Sequence, residues 1–166
     1  MAAEQLGDWT VVAFTDVTNT KEVLDAFETG KLGPCCIVAG SMVLSRLQLA
    51  AAMQRLSQHN NLRTKNIHSE LLLMLSPSKN IETALKNFSC KDEDKSFVVA
   101  IHKAADAKAA VSTISAAVKG TPLSLGSLKA SSDAEKLVKV YSLPTAEVDS
   151  AGLESAVVNR IATADI

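Results

Sequence analysis

The sequence predicts an α/β fold, a single domain with one small mixed sheet of about four strands packed with helices. Apolar blocks bounded by turn residues alternate with segments whose apolar residues recur every three or four positions. A chain of 166 residues with 47% apolar content can form one core without disulfides, so residues 1–166 are expected to be one domain. Since strands joined by helical crossovers can pair in parallel, we expect a mixed sheet, and the strand order stays open.

Four apolar blocks are predicted to be strands. The first, Trp9–Thr15, is rich in β-branched and aromatic residues, and the second, at residues 35–39, is short. Residues 71–75 form a continuous apolar run, which is typical of a strand covered on both faces, and residues 96–101 form another. Pro77 is expected to stop the third strand because it has no amide hydrogen to give to a neighbouring strand.

Six segments carry helical periodicity. The clearest begins after a plausible N-cap at Asn80, where Ile81, Ala84, Leu85 and Phe88 share one face. Residues 41–58 are apolar around more than one stripe, which indicates a helix packed on several sides. The other four predicted helices follow Asn19 or Thr20, run from Ala107 to Val118, follow a cap at Ser132 or Asp133, and follow Pro144.

The charge is unevenly placed along a chain whose formal net charge is −1. Residues 31–81 carry six basic residues against Glu70 alone, so this part of the chain is where we look for an anionic partner. Arg63, Lys65 and Lys79 flank the predicted strand at residues 71–75. Turns at Asn66 and Pro77 allow these cations to share one edge but do not require it, and separately solvated charges remain the alternative.

No catalytic constellation stands out in the sequence. The seven glycines form no phosphate-binding loop, and the histidines and cysteines lack the spacing of a zinc site, so neither a cofactor nor a metal is expected. Three cysteines, no apolar leader and no long apolar stretch favour an intracellular protein without a membrane span. Two other classes stay open: an enzyme that uses Cys36 or Cys90 with His59, His68 or His102, and an independent RNA-binding module.

The order of several segments carries a family resemblance. The apolar run at residues 71–75 leads into Ser76-Pro77, then Ile81, then Ala-Leu-Lys-Asn-Phe at residues 84–88. Together with the first strand, the second strand and Tyr141-Ser142-Leu143 near the end, this order resembles the TPRKB family, whose members are subunits of the KEOPS (EKC) complex. The chain departs from the family pattern at Pro144 and in a shortened linker around residues 120–128.

This resemblance implies a non-catalytic subunit that binds the PRPK-type kinase/ATPase and, through it, other KEOPS subunits. It also implies support for threonylcarbamoyl modification of tRNA, help in holding the tRNA 3′ end, and a cytoplasmic and nuclear location. We predict that Leu153, Val157 and Ile161, spaced by four residues on one helix face, present or support the kinase-docking surface, although all three could instead be core. We predict that Arg63, Lys65 and Lys79 contact tRNA.

Overall fold

A computed structural model describes residues 3–58 and 61–164, and its centre is an antiparallel sheet. The strands are β1 (Glu4–Leu6), β2 (Trp9–Thr15), β3 (Cys36–Ala39), β4 (Phe97–His102) and β5 (Thr121–Leu123). In the sheet β4 lies between β2 and β3, while β1 and β5 pair with the two ends of the outer edge of β2. All of these pairings are antiparallel.

The predicted α/β class is confirmed, and the sheet has five strands. The prediction of a mixed sheet is wrong, because no two of the described strands pair in parallel. The strands β2 and β3 do run in the same direction, as their crossover connection favours. However, β4 is inserted between them and is antiparallel to both.

Helices cover both faces of the sheet. One face packs against α1 (Thr20–Glu28) and α5 (Ala107–Ala117), while the other carries most of the remaining helices. Alternate residues of β2 point to opposite faces, so Val11 and Ala13 join one core cluster and Val12 and Phe14 join the other. The remaining helices are α2 (Arg46–Ser57), α3 (Ile67–Leu75), α4 (Ile81–Phe88), α6 (Ala134–Val140), α7 (Thr145–Ala151) and α8 (Leu153–Thr163), with 3-10 turns at Gly40–Met42 and Leu125–Ser131.

The prediction of a strand at residues 71–75 is wrong, because these residues form the last part of α3. The helix begins after its N-cap Asn66, whose side-chain oxygen accepts the backbone N–H groups of His68 and Ser69. All of residues 71–75 are buried, since α3 contacts α2, α4 and the sheet. A helix covered on every side is apolar all round and therefore has no visible period. The helix does end before Pro77, as predicted.

The single helix predicted at residues 41–58 is shorter in the structure. A 3-10 turn at Gly40–Met42 comes first, and α2 begins only after Ser45, whose hydroxyl accepts the backbone N–H of Gln48. The buried side chain of Gln48 accepts the N–H of Leu44 and donates to the carbonyl of Met42. These bonds satisfy the backbone where the chain leaves the sheet and turns into α2.

The predicted last helix is two helices. Gly152 adopts a φ of +87° between α7 and α8, a conformation that favours glycine, and the chain changes direction there. Across the described ranges, no helix is both long enough and apolar enough to cross a membrane.

Candidate partner-binding surfaces

The three cations predicted to contact tRNA lie in two loops that the structure brings together. Arg63, Lys65 and Lys79, which we call the basic cluster, are all exposed. The Arg63 guanidinium donates from Nη2 to the backbone carbonyl of Lys79 at 3.0 Å. This approach is possible because α3 has only nine residues, a length of about 14 Å, and the chain reverses after it. The basic cluster therefore occupies one edge, and its contact with tRNA stays a prediction.

A buried carboxylate holds the first of these loops. Glu70, in the first turn of α3, is 1% exposed. One of its oxygens accepts the backbone N–H of Arg63 at 3.0 Å, the backbone N–H of Thr64 at 2.9 Å and the Thr64 hydroxyl at 2.7 Å. The position near the helix N-terminus also favours a negative charge. The sequence distinguishes Glu70 only as the one acidic residue among the six basic residues of 31–81.

The other end of α3 is held by buried donors. Arg55 donates from Nη1 to the carbonyl of Met74 at 2.8 Å and to that of Ser76 at 3.3 Å. The Tyr141 hydroxyl donates to the carbonyl of Leu75 at 2.5 Å. Burial raises the pKa of Tyr141, so this hydroxyl keeps its proton and remains a donor. The last carbonyls of α3 are thus satisfied, which fixes the start of the loop that carries Lys79.

The residues predicted for kinase binding have different environments. Val157 and Ile161 are 0% exposed and belong to the core where α8 packs on α2. A partner cannot contact these two side chains in this conformation, and their contribution is to hold α8 in place. Leu153, at the start of α8, is half-buried and lines a groove of about 740 Å³. Of the three, Leu153 is therefore the residue that a partner can reach.

The same groove contains a leucine that the sequence analysis did not select as a site residue. Leu47, in the first turn of α2, is 52% exposed and lines the groove with Leu153. We call this surface the α2–α8 groove; its further apolar lining is Leu6, Leu44, Ala50, Leu125 and Ala151, and its charged lining is Arg46, Lys129 and Glu154. The apolar pattern of residues 41–58 predicts a helix packed on several sides, whereas the structure leaves Leu47 exposed.

The cysteines lack the environment of a nucleophile. Cys35, Cys36 and Cys90 are buried free thiols that line a second groove together with His68. Burial raises the pKa of all three thiols, that of Cys35 to about 11 and that of Cys90 to about 12, whereas an active thiolate needs a lowered value.

Two of the three histidines proposed as bases lie within the described residues. His68 Nε2 already accepts the backbone N–H of His102 at 3.1 Å, and burial lowers the pKa of both imidazoles. The third candidate, His59, lies outside the described residues. Within the part of the chain that the structure describes, no three His, Cys, Asp or Glu side chains are grouped to hold a metal.

Comparison with known proteins identifies the family. The model of a family described as kinase binding protein CGI-121 matches residues 14–165. The chain belongs to the CGI-121 family. The resemblance to the TPRKB family is thereby confirmed, and the matched region includes the basic cluster and all of the α2–α8 groove except Leu6.

Curated relatives of the CGI-121 family carry consistent names. The EKC/KEOPS complex subunit CGI121 of Candida glabrata is 37% identical over 119 residues, which is 69% of this chain and 66% of that protein. The EKC/KEOPS complex subunit TPRKB of Danio rerio is 26% identical over 160 residues, 95% of this chain and 91% of the relative. The CGI121 subunit of Eremothecium gossypii is 32% identical over 145 residues, 82% and 80% of the two chains.

Proposed function

We propose that this protein is a non-catalytic KEOPS subunit that binds a PRPK-type kinase through the α2–α8 groove. The observation that carries the proposal is an apolar groove with an accessible Leu47 and Leu153 in a chain of a kinase-binding family. Through the kinase it joins other KEOPS subunits and supports threonylcarbamoyl modification of tRNA. The cytoplasm and the nucleus are the locations that this role implies.

The groove combines the kinds of residue that interfaces use. Its lining is largely apolar and also includes the charged residues Arg46, Lys129 and Glu154, and interfaces likewise combine an apolar core with a polar rim. Arg46 is held by an ion pair with Glu4 at 2.7 Å. Covering one exposed leucine with a partner stabilises a complex by about 1–2 kcal/mol. Leu47 and Leu153 together therefore supply a substantial part of a moderate affinity.

Two substitutions test this docking surface. Leu47→Asp and Leu153→Asp each place a carboxylate against the apolar surface of the partner, which should lower affinity for the PRPK-type kinase by about tenfold or more. The measurement is isothermal titration calorimetry with the purified kinase from the same organism. Circular dichroism of each variant verifies that the helices are retained.

Leu62→Asp is the matched control, since Leu62 is 47% exposed and lies beside the basic cluster instead of the groove. Kinase affinity unchanged in both groove variants, or lowered equally in the control, would overturn the assignment of this surface.

The second part of the proposal concerns tRNA. We propose that the basic cluster contacts phosphates near the tRNA 3′ end. Arg63 uses one N–H group on the carbonyl of Lys79, which leaves other guanidinium donors available for a phosphate. Phosphate contacts of this kind make affinity fall with salt, so the dependence of binding on ionic strength is the test. Salt-dependent binding by the isolated chain, as strong as that of the complex, would favour an independent RNA-binding module.

A further inference from the structure

The buried carboxylate beneath the basic cluster carries a negative charge, opposite in sign to the cluster. Glu70 is the one acidic residue of residues 31–81, and it hydrogen-bonds the backbone of Arg63 itself. A negative charge at this place lowers the positive potential that attracts phosphates. On electrostatic grounds alone, removal of the Glu70 charge should strengthen tRNA binding.

Whereas the charge of Glu70 opposes phosphate binding, its hydrogen bonds order the loop that carries Arg63. No other bond in the described residues satisfies the backbone N–H groups of Arg63 and Thr64. Glu70 also forms no ion pair among the described side chains, so these N–H groups and the Thr64 hydroxyl are what stabilise its buried oxygens. The loop from Arg63 to Asn66 is thereby tied to the first turn of α3, and Arg63 reaches Lys79 from a fixed backbone.

We propose that Glu70 is a positioning residue of the tRNA-contacting surface. It holds the backbone of Arg63 and Thr64 so that the side chains of Arg63 and Lys65 project from a rigid loop beside Lys79. A phosphate then binds cations that are already ordered, and the cost of immobilising them on binding is smaller. The inference rests on the proposed contact between the basic cluster and tRNA.

The test is a matched pair of variants, Glu70→Gln and Glu70→Ala, which remove the same negative charge. The glutamine retains an oxygen that can take the place of the carboxylate oxygen with three of the four bonds, whereas the alanine has no acceptor. We expect Glu70→Gln to bind tRNA as well as wild type or better. Glu70→Ala should bind about tenfold more weakly than Glu70→Gln.

The assay is a tRNA binding titration at several salt concentrations with the assembled complex. Because the freed loop in Glu70→Ala should no longer bring both Arg63 and Lys65 to the phosphates, fewer phosphates are neutralised and the plot of log affinity against log salt should flatten, which a smaller fraction of folded protein would not do. Kinase affinity, measured in parallel, should be the same for all three proteins. Equal tRNA affinities and slopes for Glu70→Gln and Glu70→Ala would overturn the positioning role.

A milder variant covers the case in which Glu70→Ala loses kinase binding through misfolding. Thr64→Val removes only the hydroxyl that donates to Glu70 at 2.7 Å, and it should lower tRNA affinity about threefold. If Glu70→Ala is misfolded, wild-type affinity of Thr64→Val would overturn the inference.

Failure of the inference is distinguishable from failure of the proposed function. If substitution of Arg63, Lys65 and Lys79 by alanine leaves tRNA affinity unchanged, the tRNA contact itself is wrong and the role of Glu70 is wrong with it. If that triple variant binds weakly while the two Glu70 variants are equal, only the positioning role is wrong.

Discussion

Removal of the three cations of the basic cluster should weaken tRNA binding in a way that depends strongly on salt. The change is Arg63→Ala, Lys65→Ala and Lys79→Ala together; all three side chains are exposed, so little stability should be lost. Each phosphate contact on a single-stranded nucleic acid contributes about 0.7 to the slope of log affinity against log salt. Three lost contacts should therefore flatten the slope by about 2 units.

This slope fixes the expected loss of affinity. If the salt-independent part of binding is unchanged, the affinities of variant and wild type converge near about 1 M salt. At about 0.1 M salt, the same 2 units correspond to about 100-fold weaker binding by the triple variant. The assay is a fluorescence anisotropy titration of labelled tRNA at four or more salt concentrations, with the isolated chain and with the assembled complex.

A second triple variant controls for the change in net charge. Lys21, Lys108 and Lys119 are also exposed, and they lie on or next to the helices of the opposite face of the sheet. Their substitution by alanine removes the same three charges, so affinity and slope should stay close to wild type. Equal slopes for the basic-cluster variant and wild type, or equal losses in both triple variants, would refute contact through Arg63, Lys65 and Lys79.

Three further predictions concern stability and activity. Gly40→Ala should destabilise the fold by about 1–3 kcal/mol in urea denaturation, because its Cβ would lie 2.3 Å from Ser96 Oγ and 2.8 Å from the Ser96 carbonyl carbon. The control Gly126→Ala, with no atom nearer than 3.5 Å, should cost less. Burial and His102 lower the pKa of His68 from 6.5, so the unfolded state binds protons more readily, and stability should fall as the pH drops below about 6.5. His68→Gln should reduce that pH dependence of the unfolding free energy. The isolated protein should show no ATP turnover in a phosphate-release assay, and turnover abolished by a point change in this chain would contradict the accessory role.

Helices whose apolar residues recur at a regular spacing could be predicted from the sequence. The helix that begins at Asn80 has one apolar and one polar face, and the structure confirms both its cap and its extent as α4. The run at residues 71–75 has no period, because α3 is buried on all sides. The start of its helix is marked by Asn66, which lies outside the run and caps the helix.

The candidate surfaces depend on contacts between distant residues. Arg63 and Lys79 could be selected by charge, but their proximity follows from the helical form of α3, which the sequence analysis had taken for a strand. The sequence of residues 41–58 contains an excess of apolar positions, but it does not indicate that Leu47 is the one left exposed. Likewise, the spacing of Leu153 and Val157 fixes a common helix face but not the depth at which each lies.

The short strands at the sheet margins limit the edges at which another chain could add to the sheet. Along one margin, β1 and β5 together pair with nearly the whole length of β2. On the other, the outer edge of β3 is partly occupied by a bridge between Val38 and Ser89 and by the Cys90 N–H on the carbonyl of Ile37 at 3.3 Å. An open strand edge is a template for polymerisation into extended sheets. With both margins blunted in this way, the described strands offer another chain little open edge for β-pairing.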